Sequence, residues 1–165
     1  MAVGTLVSVE EYLNTSYDPD VEYVDGVLVE RNVGDLLHSL VQSNIIFALR
    51  RKYPHVRVLP ELRSKTRDTR YRLPDVCVLL AWPATKYLLD AAFVAIEILS
   101  EDDRMSALIE KLKEYAAKGT PHIWVIDPRL KQMYTFRQNC LAEVEGDLVT
   151  DDPRLELTRE EVFAE

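Results

Sequence analysis

The sequence has few cysteines and no long hydrophobic run. Two of its 165 residues are cysteine, Cys77 and Cys140, and neither belongs to a CxxC or Cys/His pattern. This excludes a zinc site of the usual spacing and a disulfide framework, and it fits a reducing compartment. No apolar stretch approaches the ~20 residues that a membrane-spanning helix needs. The opening residues lack the basic and apolar segments of a secretory signal. We therefore expect a cytoplasmic protein without a membrane partner.

Internal repeats, low-complexity segments and linkers are absent from the sequence as well. A chain of this length can bury one hydrophobic core without disulfides or structural metals to stabilise it, so we expect a single domain over residues 1–165. Asp25-Gly26 between two short apolar runs predicts an N-terminal β-hairpin. The segment AAFVAIEILS is apolar on both alternating faces, as in a strand covered by helices on both sides. The pattern predicts an α/β fold, a mixed β-sheet flanked by helices.

Two predicted strands each carry one carboxylate among apolar residues. Asp75 directly follows Pro74 in YRLPDVCVLLA, and Glu97 lies between Ile96 and Ile98. Burying an unpaired carboxylate costs several kcal/mol, so each acid needs a partner. If the strands are neighbours, the two carboxylates converge, and hard oxygen ligands of this kind bind Mg²⁺. The structural alternative is a turn-forming Asp and a Glu that pairs with a basic residue of the following helix.

The net charge of −8 hides a local excess of basic residues. Between residues 50 and 72 the only acids are Glu61 and Asp68. The basic residues there are Arg50, Arg51, Lys52, Arg57, Arg63, Lys65, Arg67, Arg70 and Arg72. Such a strip can attract a polyanion such as nucleic acid. The alternative is a solvated loop and a charged strand edge.

His38 is predicted on the first long helix, beside the apolar positions Val41 and Ile45. This position points it toward the sheet, where a histidine can be a satisfied semi-buried residue or part of a site. The aromatic residues follow no regular interleaving, which argues against a base-stacking platform.

The order of several short motifs resembles a known family. The motifs are VEYVDGVLVE, His38, RLPDVCVL, AIEILS and EKLKEYAAKGTPHIWVIDP. Together they resemble the Uma2 family (DUF820) of restriction-endonuclease-like proteins, within the PD-(D/E)XK nuclease superfamily. The likeness covers roughly residues 8–140, and its motifs are short but fairly specific in combination.

The resemblance implies a restriction-endonuclease-like fold and a metal-dependent endonuclease acting on nucleic acid, with DNA expected. It makes Asp75 and Glu97 the metal-binding acids, for Mg²⁺ or alternatively Mn²⁺. It adds Glu22 as a further acid and Lys111 as the catalytic lysine, a choice between Lys111 and Lys113 that periodicity leaves open. We expect Arg63, Lys65, Arg70, Arg72 and His38 to contact the substrate. A homodimer would suit cleavage of both strands.

The sequence departs from the family pattern at three positions. Leu99 stands where the superfamily motif has its lysine, LSED replaces LSPS, and Ala107 replaces an Asp four residues before Lys111. These departures, with the acidic net charge, favour a rival hypothesis: a catalytically silent module that keeps the fold and binds nucleic acid or protein. A metal-dependent hydrolase of small phosphate esters is a third hypothesis.

Overall fold

The structure is a computed structural model that describes residues 5–165. Its helices are α1 (Val9–Asn14), α2 (Leu36–Lys52), α3 (Met105–Lys118) and α4 (Arg159–Val162). Its first six strands are β1 (Glu22–Val24), β2 (Val27–Val29), β3 (Arg57–Pro60), β4 (Ser64–Arg67), β5 (Arg70–Arg72) and β6 (Val76–Leu79). The remaining strands are β7 (Val94–Ile98), β8 (His122–Asp127), β9 (Gln132–Arg137), β10 (Cys140–Glu143), β11 (Leu148–Val149) and β12 (Glu156–Leu157).

The main sheet is mixed and has the strand order β10-β9-β8-β7-β6-β3. Strands β7 and β8 are parallel and are connected through α3, while the other neighbours are antiparallel. All five residues of β7 are buried. Val41, Ile45 and Leu49 of α2 pack on one face of the sheet, and Leu108 and Leu112 of α3 pack on the other. The predicted α/β fold with a central strand covered on both faces is confirmed.

A second, smaller sheet has the order β2-β1-β5-β4 and contains the predicted hairpin. Asp25 and Gly26 form its turn with φ angles of 50° and 93°. This left-handed backbone is the conformation that an Asp-Gly hairpin turn requires. The small sheet packs with α1 around its own apolar cluster, which includes Tyr12, Tyr23 and Tyr71.

Two segments whose patterns each predict a single strand, VRVLPELRSKT and YRLPDVCVLLA, are divided between the two sheets. VRVLPELRSKT forms β3 in the main sheet and β4 in the small one, with Glu61 between them at a φ of 51°. YRLPDVCVLLA forms β5 in the small sheet and β6 in the main one. Pro74 lies at this second break, where it has no backbone N–H to donate to a ladder. The prediction of continuous strands was wrong, and the break places Asp75 at the entrance to β6.

Both cysteines are free thiols, Cys77 buried and Cys140 exposed. Among residues 5–165, no helix has the length and apolar character needed to cross a bilayer.

Candidate active site

Asp75 and Glu97 lie opposite each other where β6 begins and β7 ends. The antiparallel register pairs Val76 with Ile96, so continuing it by one residue sets Asp75 against Glu97. Directly opposed residues of an antiparallel pair have Cβ atoms about 4.5–5.5 Å apart. Asp75 is 4 % exposed and Glu97 is 5 % exposed. The fold therefore brings together the two acids that the sequence marked as anomalous.

Glu97 lies on the face of β7 that α3 covers, and two side chains of α3 bind its carboxylate. The Tyr115 hydroxyl donates to Oε1 at 2.6 Å, and Lys111 Nζ donates to Oε2 at 3.2 Å. Lys111 and Tyr115 are four residues apart, so they share one face of the helix. Burial raises the pKa of Glu97 to about 7. Lys111 opposes this rise, whereas the charges of Asp75 and Glu22 add to it.

Both carboxylate oxygens of Asp75 accept hydrogen bonds. Oδ1 accepts from Arg31 Nη2 at 2.7 Å and faces His38 Nε2 at 3.3 Å, while Oδ2 accepts from the backbone N–H of Ile98 at 2.7 Å. Burial alone would raise the pKa of Asp75, but His38 and Arg31 outweigh it and hold the pKa below its ordinary value. The same contact raises the pKa of His38 against the opposing effect of burial. Asp75 is therefore an ionised carboxylate.

Glu22, on strand β1 of the small sheet, contributes a third carboxylate close to Glu97 and Lys111. Its Oε1 accepts from the Leu73 N–H at 3.1 Å and from Lys111 Nζ at 3.0 Å, and its Oε2 accepts from Arg72 Nη1 at 3.0 Å. Although burial opposes it, the charges of Lys111 and Arg72 lower the pKa of Glu22. Lys111 thus bridges Glu22 and Glu97, and these carboxylates raise its pKa despite burial. Of the two lysines that the periodicity leaves open, Lys111 binds these carboxylates, whereas Lys113 is exposed.

These side chains line a cleft of ≈ 410 Å³. We call its buried and half-buried polar side chains the floor: Glu22, Arg31, His38, Arg72, Asp75, Glu97 and Lys111. We call its exposed charged side chains the rim: Glu30, Asp102, Asp103 and Arg104. The cleft therefore combines three buried carboxylates with cations that pair with them.

Comparison with protein-family models gives a match over residues 9–163 to a family described as "Putative restriction endonuclease". The chain belongs to the Uma2 family. This confirms the resemblance that the sequence motifs carry.

A solved structure has the same fold as this Uma2 chain. It is the crystal structure of a protein from Anabaena variabilis described as a "putative nuclease belonging to DUF820". The two share 23 % sequence identity and a TM-score of 0.79, over 96 % of this chain and 98 % of that one. No curated protein matches the chain. At this identity the likeness shows the fold, which is a mixed sheet flanked by helices.

The basic residues that we predicted to contact substrate are mostly engaged elsewhere in this Uma2 domain. Arg63 binds Asp20 and the carbonyl oxygens of Tyr12 and Thr15. Lys65 pairs with Asp68. Arg70 pairs with Asp25, Glu110 and Glu114. Of the five residues predicted for this role, Arg72 and His38 line the cleft, whereas Arg63, Lys65 and Arg70 do not. The substrate role of these residues stays a prediction.

The sequence analysis missed three residues that shape the site. Tyr115, four residues after Lys111, could have been found from helical spacing. Glu114 is fully buried and binds Arg72 through both Nε and Nη2, at 2.8 and 2.7 Å. Arg31 lies in the loop after β2, where no periodic pattern exists to mark it.

The ion that the family implies is a divalent cation with oxygen ligands. Within residues 5–165, no group of three or more His, Cys, Asp and Glu side chains is arranged to hold a metal. Mg²⁺, however, commonly takes only one or two carboxylates and completes its shell with water and substrate phosphate. The opposed carboxylates of Asp75 and Glu97 fit that requirement.

Proposed function

We propose that this protein is a metal-dependent endonuclease that hydrolyses phosphodiester bonds in nucleic acid, specifically DNA. The observation that carries the proposal is the buried pair Asp75 and Glu97, with Lys111 Nζ 3.2 Å from Glu97. Two adjacent carboxylates and one ammonium are a donor set suited to a phosphate ester and a divalent cation. Family membership, and the nuclease description of both the family and the solved structure, support the same class.

Asp75 and Glu97 would hold Mg²⁺, or Mn²⁺ in its place. When bound, such an ion supplies Lewis-acid polarisation of the phosphate and a water of lowered pKa. The ionised state of Asp75 prepares it for this role, because a metal ligand must be deprotonated. Glu97, with its pKa raised to about 7, gives up its proton readily near neutral pH.

Lys111 acts as an electrostatic group in this proposal. Its pKa is raised, so the ammonium keeps its proton and is unsuited to act as a general base. Its positive charge stabilises the negative charge that grows on the phosphate oxygens in the transition state. Glu22 holds this ammonium at 3.0 Å and so acts as its positioning residue.

Arg72 and His38 are proposed as substrate contacts within the cleft. We retain Arg63, Lys65 and Arg70 as proposed contacts with the nucleic-acid backbone, although each of them is paired with a carboxylate. A nucleic-acid phosphate would have to replace those partners. Backbone contacts of this kind position a nucleic acid without reading its sequence.

A cleavage assay tests the proposal. Supercoiled plasmid and linear DNA are incubated with the protein in Mg²⁺, in Mn²⁺ and in a chelator. We expect divalent-dependent nicking that Asp75→Asn and Glu97→Gln each reduce by at least about 100-fold, in the range measured when a single transition-state donor is removed. Glu143→Gln, an exposed acid on β10, is the matched control and should cleave normally. Cleavage that survives both site variants would refute the assignment.

The catalytically silent module is the second candidate. It is favoured by the cations already paired with all three carboxylates and by the acids on the rim of the cleft. A silent module should bind DNA at least as well after Asp75→Asn, because repulsion of the phosphates is relieved, and its binding should be independent of Mg²⁺ and Mn²⁺. The nuclease should instead lose metal-dependent binding in the same variant.

We further propose that the protein works in the cytoplasm and that double-strand cleavage uses a homodimer. Light scattering of the purified protein with and without DNA measures the assembly. A strictly monomeric protein that cuts both strands at once would contradict the dimer.

A further inference from the structure

Of the basic side chains that contact the proposed metal ligand Asp75, Arg31 makes the shortest contact. Its Nη2 donates to Asp75 Oδ1 at 2.7 Å, and its Nη1 lies 3.3 Å from Glu61 Oε1. The Arg31 side chain is 18 % exposed, whereas that of Glu61 is 47 % exposed. Arg31 therefore joins a buried carboxylate at the floor of the cleft to a solvated one outside it.

The floor of the cleft needs no added ion to balance its negative charge. Glu22, Asp75 and Glu97 can contribute three negative charges. Arg31, Arg72 and Lys111 contribute three positive ones, and His38 beside Asp75 adds a fourth when it is protonated. A divalent cation at Asp75 and Glu97 adds two positive charges next to the guanidinium of Arg31. Like charges at a few ångströms in a buried site repel strongly. Either the ion binds weakly or one of the resident cations moves away.

Arg31 is the resident cation best placed to move. Lys111 is fixed on α3 between two buried carboxylates, and Arg72 is fixed on β5 by Glu114. Arg31 instead stands on the loop between β2 and α2, and the second partner of its guanidinium is solvent-exposed. An arginine fork released from one carboxylate retains five donors for another oxyanion, and phosphate is the ligand it matches best.

We propose that Arg31 is a phosphate-binding residue that competes with the divalent cation for Asp75 and transfers to the nucleic-acid backbone when the cation binds. The proposal rests on the proposed function, and it makes metal binding and phosphate binding cooperative. A cation bound to Asp75 releases the guanidinium of Arg31. A phosphate in the cleft can then bind this guanidinium, and its negative charge offsets part of the positive charge that the cation adds.

The first experiment measures Mn²⁺ binding by calorimetry in the absence of nucleic acid. We expect Arg31→Ala and Arg31→Gln to bind Mn²⁺ about tenfold more tightly than the unmodified protein, the lower end of what a hydrogen bond to a charged group contributes. On the Asp75→Asn background the Arg31 substitution should have no effect on Mn²⁺ affinity, because the shared ligand is gone. Arg154→Ala is the charge-matched control, since Arg154 is exposed and, among the described residues, pairs only with Glu156, which lies outside the cleft.

The second experiment measures binding of a short DNA duplex in Ca²⁺, a hard cation that also takes oxygen ligands. We expect Arg31→Ala to bind the duplex about tenfold more weakly and to lower the slope of log affinity against log salt by about one. Arg154→Ala should leave both quantities unchanged. Melting temperatures identify any variant that fails to fold, and Arg31→Gln, which retains a hydrogen-bond donor toward Asp75, then replaces Arg31→Ala.

The two measurements separate the outcomes. Unchanged or weaker Mn²⁺ binding by the Arg31 variants overturns the competition, and unchanged DNA binding overturns the transfer to phosphate. Both readouts are independent of cleavage. If the protein binds Mn²⁺ and DNA as expected here but never cuts, the proposed nuclease activity fails while the role of Arg31 stands.

Discussion

Replacing Glu114 by Gln should destabilise the protein strongly, although this residue lies outside the cleft. Its fully buried carboxylate accepts hydrogen bonds from Arg72, Arg70 and Thr66 at 2.6–2.8 Å. Lowering its pKa from the ordinary 4.5 to about 2 corresponds to about 3 kcal/mol of stability. The cost of leaving one member of a buried ion pair without its partner, about 3–5 kcal/mol, agrees with this value.

The pH dependence of this effect follows from the direction of the pKa shift. Because the folded-state pKa lies below the unfolded one, the contribution is complete above about pH 5 and is lost as the pH falls toward about 2. Urea unfolding of Glu114→Gln should therefore show a loss of about 3 kcal/mol at neutral pH and somewhat less than half of that loss at about pH 3. Glu110→Gln is the control. Its carboxylate also pairs with Arg70 but is 55 % exposed, so it should lose less than about 1 kcal/mol.

Two results would refute the reasoning on Glu114. One is a loss below about 1 kcal/mol at neutral pH, the ordinary value for an exposed pair. The other is an equal loss at both pH values, which would mean that packing rather than charge accounts for it. The variant should also loosen Arg72 and, through it, Glu22, so its DNA affinity reports on the site as well.

Three further substitutions test other parts of the structure. Lys111→Met should reduce cleavage by at least about 100-fold. Calorimetry should show that Mn²⁺ binds to this variant no less tightly, because a positive charge has been removed from the site. Weaker binding of Mn²⁺ would contradict the electrostatic role. Gly26→Ala should lower the free energy of unfolding by roughly 1 kcal/mol or more, since Gly26 has a φ of 93° and an added Cβ would lie 3.1 Å from Leu6 Cδ2; an unchanged urea midpoint would exclude strain at the turn. Arg63→Ala should destabilise by about 1–3 kcal/mol because it leaves the carbonyl oxygens of Tyr12 and Thr15 without their donor; weaker DNA binding without any loss of stability would instead support a surface role for this arginine.

The parts of the site that could be predicted from sequence are those that break a local pattern. Asp75 and Glu97 interrupt apolar strands, and an interruption of that kind is visible without a structure. Their pairing depends on β6 and β7 being neighbours in a particular register, which strand patterns do not specify. Periodicity does not separate Lys111 from Lys113, so the prediction of Lys111 depends on the family resemblance. The contact of Lys111 with Glu97 requires the packing of α3 against β7, which periodicity does not specify.

The charged residues explain why the substrate contacts were harder to predict. Counting charges between residues 50 and 72 shows an excess of arginine and lysine but not their partners. Arg63 binds Asp20 and Arg70 binds Asp25, separated by 43 and 45 residues along the chain. These pairs exist only because β1 pairs with β5, which brings the segment around β1 close to β5 and to the residues that precede β4. The wrong prediction of two continuous strands has the same cause. Each chain segment changes sheet, at Glu61 and near Pro74, because of packing between segments that are distant in sequence.

Because the chain is divided into two sheets, the geometry of the cleft depends on whether the small sheet stays folded against the main one. Glu22 and Arg72 belong to the small sheet, whose strands are three or four residues long and which has its own apolar cluster. Short strands around a separate cluster form a cooperative unit that can open at a lower free energy than the main core. Amide hydrogen exchange would then be faster in β1 and β5 than in β7. Each such excursion would carry Glu22 away from Lys111 while Asp75 and Glu97 stay on the main sheet.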